Sequence, residues 1–229
     1  GLILGVLAWT FIAEPPRGRH DAGADDEVPP ISAVLHRLFV LPSARNLVIG
    51  SALAAMLGFG LNYFFTSLMI RKFELGLAEA GFYSGLIASL PAALSVVGSG
   101  WLADRLSARG PAAYAMIPAV CLVLGGPLYV LAITRDSLPL LLGLISVTTF
   151  LTFGYLGVTY AALQNLMHPR MRATTSAVLN VVYGIASALG PILLGALSDR
   201  MAQTQGPAQG LATAMAITGA LYVWAGLHY

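Results

Sequence analysis

Six long apolar runs dominate the chain, at approximately 46–70, 80–103, 112–134, 138–166, 173–198 and 208–229, with charged or turn-forming residues between them. Each is long enough for a helix that crosses a bilayer, which needs about 20 mostly apolar residues. Helices are required because lipid offers no partner to free backbone groups, and the runs show no β-barrel alternation. A shorter stub, GLILGVLAWTFIA, occupies residues 1–13. At about 1.5 Å per residue it covers roughly 20 Å, short of the ~30 Å hydrocarbon core. It has no basic n-region and no small-residue cleavage site, so it reads as the end of a longer helix rather than a signal peptide. The expectation is a piece of a larger protein.

Between the stub and the first run lies EPPRGRHDAGADDEVPP, residues 14–30, rich in proline and acidic residues. It predicts a solvated loop. The following ISAVLHRLFVLPSAR places Ile31, Val34, Leu35, Leu38 and Phe39 on one helical face. That pattern predicts a short amphipathic helix lying at the membrane surface.

Composition agrees with the pattern. Hydrophobic residues make up 57% of the 229, charged residues 10%, and mean hydropathy is +0.78. A water-soluble domain carries about 25% charged residues. The net charge of +2 gives no reason to expect a nucleic-acid partner. Cys121 is the sole cysteine, and His20, His36, His168 and His228 are scattered, so no metal site or internal disulfide is expected.

The basic residues orient the chain. Arg17, Arg19, Arg37, Arg45, Arg105, Arg109, Arg170 and Arg172 fall on one side, against Arg71, Lys72, Arg135 and Arg200 on the other. The richer side, which includes the loop 14–44, should be cytoplasmic. The excess of arginine over lysine, eleven to one, points to a GC-rich bacterial source and an inner membrane.

Two hexamers repeat. GWLADR at 100–105 and GALSDR at 195–200 both read Gly-x-Leu-x-Asp-Arg. Each ends the second run of a three-run group, and three crossings between them put them on opposite membrane faces. A three-helix unit repeated with inverted topology is a transporter signature.

Polar residues within the runs form stripes. Thr148, Thr152, Tyr155 and Thr159 share one helical face, as do Asn180, Tyr183 and Ser187. Asn62 pairs with Thr66, and Ser84, Pro91 and Ser95 share a face. Small hydroxyls serve packing in most membrane helices, whereas buried amides and phenols seek partners or a ligand. All ten acidic residues lie in loops or at run ends, and no Lys, Arg or His lies mid-run. Intramembrane ionisable groups mark proton relays and charge recognition. A proton carrier, if transport is proton-coupled, is therefore expected outside this chain. Pro91, Pro118, Pro127 and Pro191, with the Gly125–Gly126 pair, are expected to interrupt spans. Pro91 is a candidate hinge, and Gly190–Pro191, placed near the outer end of its run, a candidate gate.

GWLADRLSARG at 100–110 resembles the loop motif Gly-x-Leu-x-Asp-Arg-x-x-x-Arg-Gly of the major facilitator superfamily. EPPRGR, LAEAGFYSGLI, HPRMRATTSAV and LGPILLGALSDR resemble its bacterial spinster-like branch. The resemblance implies an all-α integral membrane fold. The chain would hold the tail of helix 6 (1–13), the inter-half loop with its amphipathic helix (14–44), and helices 7–12 (45–229) as two inverted three-helix repeats. It implies a conformational latch at Gly100, Asp104, Arg105 and Arg109, with the carboxylate meeting a helix N-terminus of the other half. Gly100 would let helices approach closely. Helices 7, 8, 10 and 11 would wall a substrate cavity, with Asn62, Thr66, Thr152, Tyr155, Thr159, Asn180 and Tyr183 as its polar residues, and helix 9 would be peripheral. The implied partners are the N-terminal six-helix half, membrane lipids and a small-molecule substrate. The implied function is alternating-access transport of an amphiphile, a lysophospholipid or sphingolipid-like molecule. A drug or organic-anion transporter, proton-coupled through the other half, is the alternative. No catalytic set, metal or cofactor is expected, so an enzyme is disfavoured, as is a scaffold or receptor.

Overall fold

The computed structural model describes residues 2–12, 29–108 and 110–229. Most of the Pro-rich acidic loop, with Arg17 and Arg19, and the motif residue Arg109 lie outside the described residues. Every regular element among those described is helical. They are α1 (Leu2–Phe11), α2 (Ile31–Val40), α3 (Pro42–Phe73), α4 (Leu77–Ser107), α5 (Ala113–Ile133), α6 (Leu138–Phe153), α7 (Tyr155–Leu166), α8 (Arg172–Gln205), α9 (Pro207–Ala220) and α10 (Tyr222–Leu227), with one 3-10 turn, Pro169–Met171, before α8. Six helical stretches are long and apolar enough to cross a membrane, with α6–α7 and α9–α10 each forming one crossing. α3, α4 and α8 overrun their apolar runs, because charged and polar side chains at the interface continue a helix without entering the lipid, whereas α5 and α6–α7 stay within theirs.

Contacts between helix ends confirm that the spans alternate in direction. At one end, Lys72 of α3 reaches the α5–α6 corner. Its Nζ donates to the carbonyls of Ile133 (2.9 Å) and Arg135 (2.8 Å) and pairs with Asp136 at 3.2 Å. The lysine side chain is 15% exposed, so its charge relies on these three partners. Lys72→Met should therefore lower stability by about 2 kcal/mol, since hydrogen bonds to a charged group contribute ~1.5–3 kcal/mol. Thermal melting of the detergent-solubilised protein measures this; an unchanged midpoint would show that the corner holds without the lysine. At the opposite end, Arg37 of α2 donates through Nε and Nη2 to the Leu166 carbonyl, at 3.3 and 3.0 Å. Arg172 Nε donates to the Gln164 carbonyl at 3.1 Å. Two arginines thus cap the last turn of α7, where carbonyls lack helical partners.

The core lies between α3, α5, α6 and α9. Leu57, Leu61, Phe65, Leu68, Leu122, Ile133, Leu141, Leu211 and Met215 are buried there. α3 and α8 cross closely. A Cβ added to Gly60 would lie 2.9 Å from the Gly190 carbonyl oxygen, and one added to Gly190 would collide with the Met56 carbonyl. Glycine is required at this crossing because backbone faces backbone.

The helix breakers behave differently from expectation. α4, α5 and α8 run unbroken through Pro91, Pro118, Pro127 and Pro191. Gly125–Gly126 serves close packing: added Cβ atoms would sit 2.7 Å from Thr152 Cγ2 and 3.0 Å from Val223 Cγ2. Gly190 lies near the middle of α8, not its outer end. The breaks fall instead at Gly154 and Leu221. The Gly154 N–H turns to the Leu151 carbonyl (3.2 Å), which leaves the Phe150 carbonyl without its helical donor. Ser95 Oγ of α4 donates to that carbonyl. A broken membrane helix needs such a substitute donor.

Candidate functional site

The residues on either side of the Gly154 break line the main cavity. Thr152 and Phe153 end α6, Tyr155 and Leu156 begin α7, and all four line a space of about 390 Å³. Ala54, Ala55, Gly58, Phe59 and Asn62 of α3 form a second wall. Tyr183, Gly184 and Ser187 of α8 form a third, and Tyr222 of α10 closes it. A small annex of about 20 Å³ adjoins, where Ile87 of α4 and Tyr129 of α5 meet Asn62, Thr152, Phe153 and Tyr222.

Of the seven candidate cavity residues, Asn62, Thr152, Tyr155 and Tyr183 line the space. Asn62 is exposed, and its Nδ2 donates to the Gly58 carbonyl at 2.9 Å, leaving the amide oxygen outside that bond. Tyr155 and Tyr183 meet edge to face, with centroids 6.5 Å apart. The other three candidates serve helix contacts. Thr66 donates to Ser84 Oγ at 2.9 Å, joining α3 to α4. Thr159 is fully buried and bonds the Tyr155 carbonyl (2.6 Å) and the Tyr229 hydroxyl (2.5 Å). Asn180 accepts from the Tyr160 hydroxyl at 2.5 Å. One polar stripe thus divides into cavity and packing roles according to which neighbour each residue meets.

The walls also differ from expectation. Among the described residues α4 reaches only the annex, because Ser84 and Ser95 are spent on α3 and on the Phe150 carbonyl. Tyr222 takes its place, a residue the sequence does not mark, since a lone tyrosine in an apolar run carries no periodic signal. α5 stays away from the main cavity: it contacts α4, α6, α7, α9 and α10 on one side and leaves Met116, Val120, Leu124 and Leu131 exposed on the other.

The motif residues sit at the end of α4. Asp104 is exposed, and its Oδ1 accepts from the Tyr114 hydroxyl of α5 at 2.8 Å. Arg105 lies over the Trp101 ring, 5.4 Å from its centroid. Among the described residues outside its own helix, nothing comes within 4 Å of a Cβ placed on Gly100, so the close approach expected there is not made by any described helix.

The lining contains no charged side chain among the described residues. Aromatic rings and small residues supply an apolar surface, with an amide and several hydroxyls as its polar points. Such a site suits an apolar or amphiphilic ligand. A bare charge placed there would lose its hydration without a counter-ion.

Comparison with known proteins follows the same lines. The family model of the Major Facilitator Superfamily matches residues 1–191. An MFS-type efflux pump of Mycolicibacterium smegmatis is 30% identical over 190 residues, covering 80% of this chain and 44% of the pump. Crystal structures of a bacterial homolog to the human lysosomal transporter Spinster, inward-facing and either unoccupied or occupied, superpose on the whole chain. Their TM-scores are 0.77 and 0.76, each at 25% identity, covering 55% and 54% of those chains. The chain therefore spans about half the length of the relatives it matches. Six alternating spans, the matched family model and these relatives agree: the chain belongs to the major facilitator superfamily of membrane transporters, with spinster-like proteins among its structural neighbours.

Proposed function

We propose that this chain acts as the C-terminal half of a secondary transporter that works by alternating access, and that its cargo is an amphiphile of the lysophospholipid or sphingolipid type. The observation that carries this reading is the uncharged, aromatic-lined cavity of about 390 Å³ at the broken helix. It offers an apolar bed and a few neutral hydrogen-bonding points. The cargo's charged headgroup would be read by the N-terminal half, which would also carry any coupled proton. Likeness to the bacterial homolog of lysosomal Spinster supports a spinster-like role.

In this reading Asp104, Arg105 and Arg109 form the latch. Asp104 would exchange the Tyr114 hydroxyl for a helix N-terminus of the other half, a contact of about 0.3–1 kcal/mol at an exposed site. Pro91 and the Gly190–Pro191 pair would serve as hinge and gate. The arginine-rich ends would face the cytoplasm of a bacterial cell. A drug or organic-anion transporter of the same fold is the second reading, favoured by the efflux-pump relative.

Uptake into proteoliposomes by the two-half protein separates these readings. A labelled lysophospholipid should be carried, and lipophilic drugs or organic anions should compete weakly. Tyr155→Ala and Asn62→Leu should each slow lysophospholipid transport about tenfold, equivalent to ~1.4 kcal/mol. Wild-type rates in both variants would remove the cavity from the pathway. Strong competition by drugs would favour the second reading.

A further inference from the structure

α2 is amphipathic, but only part of its apolar arc is covered. Val34 and Leu38 are 0% and 6% exposed and pack on Ala44, Leu47, Ala162, Leu163 and Leu179. Ile31, Leu35 and Phe39, one turn apart along the adjoining edge, are 62%, 36% and 66% exposed. Helical spacing puts all five residues on one face; the structure divides that face between the bundle and an outside surface.

Two observations identify what the outside surface meets. The first is depth. A single residue, Leu41, joins α2 to α3, and Arg45 sits one turn into α3. The apolar run starts directly after that arginine, so α2 is held at the level where α3 enters the lipid. The second is charge. Over residues 29–48 the charged side chains are Arg37 and Arg45, both exposed; the carboxylates of Asp25, Asp26 and Glu27 precede them in the sequence, outside the described residues. An amphipathic helix at that depth, with basic residues beside its apolar edge, complements an anionic lipid surface.

We propose that the Ile31–Leu35–Phe39 edge of α2 lies in the adjoining leaflet, with Arg45 and Arg37 beside anionic headgroups. The inference rests on the membrane residence of the family and is independent of the cargo. It gives the leaflet a handle on the cavity helix. Arg37 is bonded to the Leu166 carbonyl, so α2 and the end of α7 move together.

A nitroxide label at residue 39 tests this in the complete two-half protein, carrying Phe39→Cys and freed of other cysteines, Cys121 included. In phosphatidylcholine–phosphatidylglycerol vesicles, oxygen should collide with the label more often than a water-soluble nickel chelate does. A label introduced by His36→Cys should show the opposite order. Preferential nickel collisions at residue 39 would overturn the proposal, as would exclusion of both reagents, which would place the edge against the other half. Omitting phosphatidylglycerol should shift the residue 39 label toward water, and Arg45→Gln should abolish that lipid dependence. A depth indifferent to headgroup charge would overturn the anionic preference. Gel-filtration profiles matching the parent protein keep these readings free of misfolding.

Discussion

Gly184→Trp will abolish transport while leaving the protein folded. Gly184 lines the main cavity on α8, and a Cβ added there meets nothing within 4 Å. The side chain therefore grows into the cavity without displacing a helix. An indole occupies much of a space of about 390 Å³, and a site that is filled cannot take cargo. Uptake should fall by at least about tenfold, ~1.4 kcal/mol in barrier terms. The melting temperature should stay near that of the parent, because tryptophan is no worse than glycine in a helix. Gly184→Ala is the matched control and should transport normally. Full transport by Gly184→Trp would show that cargo passes elsewhere.

Gly190→Ala, six residues along the same helix, should act on stability instead. Its added methyl points at the Met56 carbonyl, a backbone group that cannot rotate aside. α3 and α8 must separate, and the cost of such overpacking is about 1–3 kcal/mol. Gly60→Ala faces the same crossing and should behave alike. Thermal melting in detergent measures the loss, with Gly184→Ala as the unaffected neighbour. Because α3 and α8 form two of the cavity walls, transport should fall as well. A midpoint equal to that of the parent would mean that the crossing is looser than the structure shows.

These two glycines show where the sequence is informative and where it stops. Both occur in one apolar run, and although Pro191 marks the second, nothing in their local sequence says which faces a void and which a backbone. One faces a void and the other a carbonyl because of what α3 presents opposite. The six spans were legible because charges cannot enter the lipid, so each crossing is bounded by its own ends. The family was legible in GWLADRLSARG, whose residues are read in order without any tertiary knowledge. The cavity was half legible. A polar stripe on a helix identifies a face, and Asn62, Tyr155 and Tyr183 were found that way. The same signal also picked Thr159, which is buried against Tyr229, and Asn180, which is exposed and bonds Tyr160 outside the cavity lining. The break at Gly154 was invisible. Glycine is common in membrane runs, and what stabilises this break is Ser95 on another helix. Prolines drew attention instead, yet α4, α5 and α8 pass through theirs unbroken.

The two end grips also have a consequence in time. Lys72 bonds carbonyls 61 and 63 residues downstream, and Arg37 bonds one 129 residues downstream. During synthesis each cation leaves the ribosome long before its acceptor exists. Lys72 must wait, still hydrated, until the α5–α6 corner has been made, and Arg37 waits until α7 is complete. The early spans can enter the membrane, but one end of the bundle stays unsecured until residue 136 has emerged and the other until residue 166 has. Assembly of this half is therefore sealed from behind, by the last-made partner of each pair.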